Sequence, residues 1–251
     1  MNDKTKQFWE GTALLSANIL LSLILFATVI AILVFLTRNQ LRKYKHIDMA
    51  VFEKLQTYVT QRRNRFMLFI TFLGNHKFLI PANLFLIFYF LFIKYSWISI
   101  RVVAVALSSL VLMLLLKSLF KRKRPLAPLL RAAKGLSFPS GHAIISVTFY
   151  GLLIYIFFHT VKNNELNYFL TALLITLILL IGFSRVYLRV HYTSDVLAGF
   201  IIGVLWLFIS LSVINRFENK IKRKIMPVLT FAGIEKMKQP AAVIAFFEPS
   251  I

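Results

Sequence analysis

Six apolar runs set most of what this chain can become. They cover residues 12–36, 78–93, 102–120, 143–158, 168–183 and 196–213. Each approaches the length of about 20 residues that a helix needs to cross a hydrocarbon core, and polar residues gather between them. Of the 251 residues, 59% are hydrophobic and 16% charged, with mean hydropathy +0.75; a soluble domain carries about 25% charge. The expected fold is therefore an all-α integral membrane protein, a bundle of about six transmembrane helices. An even number of spans puts both termini on one side. The first run is too long for a signal-peptide core and lacks a small-residue cleavage pattern, so it is expected to remain as a span. The chain has no cysteine, which excludes disulfides, thiolate metal sites and thiol chemistry.

Between the first two spans, Ile47, Val51, Phe52, Leu55, Tyr58 and Val59 recur at helical spacing opposite Glu53, Lys54, Gln56 and Gln61. This predicts an amphipathic interfacial helix over 47–65. Gly74-Asn75-His76-Lys77 reads as a break at the mouth of a site. Residues 1–215 are expected to form the membrane domain and 216–251 a basic juxtamembrane segment and tail, the tail without a functional reading. Arg216, Lys220, Lys222, Arg223 and Lys224 fit a stop-transfer anchor that also meets anionic headgroups. Gly199 and Gly203 form a G-x-x-x-G that predicts close helix packing within the protein.

The formal charge of +21 on a bilayer protein points to anionic lipid or an anionic substrate, and no nucleic-acid partner is expected. Acids are scarce: between Glu53 and Glu218 only Glu165 and Asp195 occur, so carboxylate chemistry in the core must use Asp195. Three polar clusters sit at span ends. In Lys117-x6-Arg124-Pro125, a continuing helix would place both cations on one face. In Pro139-Ser140-Gly141-His142, Ser140 can cap a helix and Gly141 lets N–H groups approach an anion. In Ser184-Arg185-x5-His191-x3-Asp195, a helical turn would let the carboxylate orient one ring nitrogen of His191 and leave the other free to attack. A six-span topology brings all three clusters to one membrane face.

Together these motifs resemble the three-part signature of the type 2 phosphatidic acid phosphatase superfamily. That superfamily includes bacterial phosphatidylglycerophosphate and undecaprenyl diphosphate phosphatases, lipid A phosphatases, eukaryotic lipid phosphate phosphatases and the soluble vanadium haloperoxidases. The resemblance implies that His191 attacks phosphorus, Asp195 orients it, and His142 protonates the leaving group and then serves as base for water. It implies that Lys117, Arg124, Arg185, Ser140 and Gly141 cradle the phosphate. Fixed cations and N–H donors stabilise the charge that spreads over equatorial oxygens in phosphoryl transfer. No cofactor and no metal are expected.

The other ionisable residues receive plainer readings. Lys121-Arg122-Lys123 fits a solvated anchor, whereas Lys117 lies too deep in its span for an unpaired ammonium. Arg189 fits either substrate or headgroups. His46, His76 and His159 lie outside the motifs, and His76 is the one close to the proposed mouth. The expected function is a phosphatase acting on a lipid phosphate or diphosphate through a phosphohistidine, with undecaprenyl diphosphate, phosphatidylglycerophosphate and phosphatidic acid as substrates. The alternatives are a lipid A phosphatase or phosphotransferase with the same site, and a non-catalytic lipid-binding or transport protein. Residues alone do not give the oligomeric state. The Lys and Arg count favours a cytoplasmic site by the positive-inside rule, but catalytic cations confound it. The resemblance to bacterial members implies an inner-membrane protein with an extracytoplasmic site.

Overall fold

The computed structural model describes residues 24, 28, 31, 45–125, 129 and 135–231. The span expected at 12–36 and the tail from 232 onward lie outside the described residues, isolated positions apart. From Ile47 to Phe231 the described residues belong to one compact unit. Its helices are α1 (Lys45–Gln56), α2 (Gln61–Leu73), α3 (His76–Phe92), α4 (Ser96–Phe120), α5 (Gly141–Thr160), α6 (Asn164–Tyr187) and α7 (Thr193–Phe231). No strand occurs among the described residues. Among the described residues, five segments are long and apolar enough to cross a membrane: Gln61–Phe92, Ser96–Phe120, Gly141–Thr160, Asn164–Tyr187 and Thr193–Lys222. They contain the five later runs read from hydropathy, save that the run over 78–93 ends one residue past Phe92.

Short polar residues set the helix ends. Thr60 Oγ1 accepts from Arg63 N to start α2, Asn75 Oδ1 accepts from Lys77 N to start α3, and Asn163 Oδ1 accepts from Leu166 N to start α6. Each satisfies an orphan donor of a first turn. The Thr60 cap divides the single interfacial helix expected over 47–65, so Arg62, Arg63 and Arg65 belong to α2. Ile47 lies exposed, and α1 instead buries Asp48 and Phe52. α4 ends at Phe120, with Lys121 in the left-handed region (φ 48°) and Pro125 just beyond.

α5 is the central helix, packed against α4, α6 and α7. More than half of its most apolar stretch is buried (56%), whereas the other spans bury 39% or less. The outer surface carries large apolar side chains such as Phe85, Phe92, Phe169 and Phe208, each at least 66% exposed, as lipid contact requires. At the end remote from the site, Arg101 pairs with Glu218 and donates to Asn215 Oδ1 at 2.8 Å, tying α4 to α7.

The two glycines of α7 pack inward, as their spacing predicts. A Cβ at Gly199 would lie 2.7 Å from Ala143 Cβ and 2.9 Å from Ser140 O, and one at Gly203 would lie 2.9 Å from Val147 Cβ. Close approach of α7 to the start of α5 therefore depends on the missing side chains. Gly199→Val is expected to destabilise by about 1–3 kcal/mol through overpacking, read as a lowered Tm in detergent. An unchanged Tm would show that α5 and α7 are not held this closely.

Candidate active site

The site forms where α4 and α6 end and α5 and α7 begin. Its floor is the segment from Gly135 to Ser140, fixed by Ser137 N donating to Arg122 O (2.7 Å) and Ser140 N donating to Asp195 O (3.0 Å). Gly141 opens α5. A Cβ there would lie 2.4 Å from Met113 Sδ and 3.7 Å from Lys117 Cε, so this glycine lets α4 and α5 approach at the depth of Lys117. The side chain of Ser140 does not cap α5, contrary to expectation.

His191 and Asp195 are both buried. α7 starts only at Thr193, so His191 lies in the preceding turn and the expected helical turn between the two is incomplete. Even so, His191 Nδ1 stands 3.6 Å from Asp195 Oδ2, beyond ordinary hydrogen-bond reach but close enough to orient the ring electrostatically. The Ser137 hydroxyl lies 3.5 Å from the same nitrogen and donates to Asp195 Oδ2. Tyr192 N also donates to Oδ2 (3.0 Å), and Arg122 donates to Oδ1 (2.5 Å). With Nδ1 turned to this carboxylate, Nε2 is the nitrogen left for chemistry. Burial brings the His191 pKa down to about 4 from 6.5; the Arg185 and Arg124 charges push the same way, and Asp195 opposes them. At neutral pH the ring is uncharged and holds its lone pair.

The cations surround this pair. Arg124 is not on a shared helical face with Lys117, because α4 has already ended. It spans two loops, donating to Gly135 O (3.2 Å) and Val190 O (3.0 Å). Burial lowers its pKa, and Asp195 opposes that shift. Lys117 Nζ donates to Leu136 O at 2.9 Å. Arg185 is buried on α6 and donates from one terminal nitrogen to Thr71 Oγ1 of α2 at 2.5 Å. Near it, His142 sits against the α2–α3 break, where a Cβ on Gly74 would be 3.3 Å from the ring. Three buried atoms here, Ser140 Oγ, His142 Nε2 and Arg185 Nε, have no hydrogen-bond partner among the described residues. Buried polar atoms are rarely left so, and together they offer donors or acceptors to an anion.

All eight residues singled out from sequence thus meet at one end of the bundle. Arg189 does not join them: its guanidinium donates to Phe52 O (3.3 Å) and Gln56 Oε1 (3.2 Å) at the end of α1. Arg122 is the opposite correction, for it is not a solvated anchor but a half-buried partner of the buried carboxylates Asp195 and Asp48. Asp48, Thr71 and Ser137 also escaped sequence reasoning. Thr71 lies three residues before the Gly74 break, whose polar character was the available signal. His76 lines a cleft of about 270 Å³ between α3, α4 and α5, together with Leu84, Leu107, Ser109, Ile145 and Thr148. Ile145 lies one turn beyond His142 on α5.

A membrane helix bundle with cations gathered around two buried or half-buried histidines fits a membrane-embedded phosphatase. The PAP2 superfamily model matches residues 97–218. Phosphatidylglycerophosphatase B of Bacillus subtilis (strain 168) is 32% identical over 165 residues, covering 64% of this chain and 77% of that protein. Lipid phosphate phosphatase delta of Arabidopsis thaliana is 33% identical over 88 residues, 34% of this chain and 21% of that protein. The crystal structure of a transmembrane PAP2-type phosphatidylglycerolphosphate phosphatase from Bacillus subtilis superposes with TM-score 0.67 at 28% identity, covering 78% of this chain and 97% of that one. That of Aquifex aeolicus LpxE gives TM-score 0.50 at 25% identity, covering 65% and 94%. The chain belongs to the PAP2 superfamily.

Proposed function

We propose that this protein hydrolyses a lipid phosphate or diphosphate monoester, without a metal, through a phosphohistidine on His191. The observation that carries the reading is the group of unpartnered buried atoms, Ser140 Oγ, His142 Nε2 and Arg185 Nε, beside an uncharged His191. A phosphoryl group bound there meets a nucleophile on one side and cations around its oxygens. His191 Nε2 attacks phosphorus, the phosphorus–oxygen bond to the lipid breaks, and His142 gives its proton to the leaving oxygen. Water then attacks the phosphohistidine with His142 as base, releasing inorganic phosphate. Lys117 and Arg124 add positive charge to the cradle, and the Gly141 N–H adds a donor at the start of α5.

The apolar cleft supports a substrate whose chains stay in the bilayer while its phosphate enters at the interface. Phosphatidylglycerophosphate leads the substrates because the Bacillus relatives carry that activity in their names; undecaprenyl diphosphate and phosphatidic acid follow. We assign the site to the extracytoplasmic face of a bacterial inner membrane, and the cations from Arg216 to Lys224 to anionic headgroups on the other face. Among the described residues, no three His, Asp or Glu side chains stand close enough to share a metal ion.

Phosphate release from a panel of these lipids by detergent-purified protein in excess EDTA tests the reading. Release is expected to survive the chelator; dependence on a divalent ion would contradict it, and phosphate passing to an acceptor instead of water would favour the transferase. The pH profile is a second check. Because the His191 pKa is lowered, its uncharged form persists as pH falls through the ordinary histidine range. With the substrate's own ionisation near about 6 allowed for, kcat/KM is expected to hold to about pH 5 and to fall through about 4. An acid limb centred near 6.5 would mean that the ring is solvated during catalysis.

A further inference from the structure

The Asp195 carboxylate is one end of a longer bridge that none of the three motifs contains. Arg122 donates from one terminal nitrogen to Asp195 Oδ1 (2.5 Å) and Ser194 Oγ (2.8 Å), and from the other to Asp48 Oδ2 (2.9 Å). Asp48, on α1, accepts in addition from Ser194 N (3.1 Å) and Ser194 Oγ (2.7 Å). It thus caps the first turn of α7 from another helix. The Arg122 guanidinium lies 4.0 Å over the Tyr192 ring, and that ring packs against Phe52 of α1 with centroids 5.8 Å apart. The bridge therefore holds Tyr192, Ser194 and Asp195, three of the four residues that follow the nucleophile.

Buried ion pairs often add little stability, because desolvation offsets the attraction. What this one does is fix charge and geometry beside a reacting group. With Oδ1 held by Arg122, Oδ2 is left to face His191 Nδ1. Asp48 takes up part of the Arg122 charge, so Asp195 keeps more of its own negative field for the positive ring that forms as His191 is phosphorylated. We infer that Asp48 and Arg122 are positioning residues for the His191–Asp195 pair, so that docking of α1 is a condition of catalysis; this rests on the phosphohistidine reading above.

The test compares wild type, His191→Ala, Asp48→Asn, Arg122→Gln, Arg122→Lys and, at the exposed neighbouring position, Lys123→Gln. The readouts are kcat and KM on phosphatidic acid in detergent micelles, and the inhibition constant of inorganic phosphate. Residues that orient a metal's ligands typically cost 10–100-fold when lost, and by analogy kcat is expected to fall about 10-fold in Asp48→Asn and about 100-fold in Arg122→Gln. KM and phosphate inhibition should stay within about threefold, because the cradle is untouched. Arg122→Lys should recover part of the Arg122→Gln loss, and Lys123→Gln should match wild type. Asp48→Asn is isosteric and keeps an acceptor for Ser194 N, so it decides the matter even if Arg122→Gln does not fold. A wild-type kcat in Asp48→Asn overturns the inference, as does phosphate inhibition weakening in step with kcat. If wild type is active and His191→Ala is not, such a result refutes the positioning role alone; an inactive wild type removes the functional reading and the inference together.

Discussion

His191→Ala is expected to lower phosphate release from a lipid phosphate by at least about 10⁴-fold, because a covalent route has no substitute once its nucleophile is gone. Asn and Gln at this position should be equally inactive, since an amide nitrogen has no lone pair to offer. The cradle should survive: Arg124 is held by Gly135 O and Val190 O, and Arg185 by Thr71, independently of the imidazole. Inorganic phosphate should therefore still bind within about threefold of wild type. Activity remaining above about 1% of wild type, against the covalent-route loss expected above, would mean that water attacks the substrate directly.

The second large effect separates two jobs assigned to one residue. His142→Gln keeps the side-chain volume against the Gly74 turn but removes a proton donor and acceptor. On an alkyl lipid phosphate the loss should be about 10²–10⁴-fold, the range for a general acid. An aryl phosphate leaves without help, so its first step should slow by less than about 10-fold. Water then lacks its base, and the phosphoenzyme should accumulate as a burst approaching one per protein. Equal losses on both substrates, without a burst, would make His142 a structural residue.

The parts of this protein legible in sequence are those governed by short spacing. Hydropathy placed the described spans, and the motif residues between Lys117 and Asp195 come together because span ends alternate between membrane faces. The corrections have local physical causes. A left-handed Lys121 ends α4 before Arg124, so the helical-face argument fails although both cations reach the site. The Thr60 cap breaks the interfacial helix. Arg122 was hidden within Lys121-Arg122-Lys123, a run that reads as an anchor because its neighbours are indeed exposed. Asp48 lies 146 residues from Ser194, and no periodicity reports such a contact. Its one sequence signal was an acid in a chain that has few.

Mapping the phosphorylated residue most directly tests the central claim. The protein would be mixed for milliseconds with a lipid carrying a ³²P-labelled terminal phosphate, in excess EDTA. The mixture would be quenched in base, where a phosphohistidine persists, and the labelled peptide sequenced by mass spectrometry. The account predicts label on His191, acid-labile and absent from His191→Ala. Turnover without label on His191, or label at another residue, would contradict it.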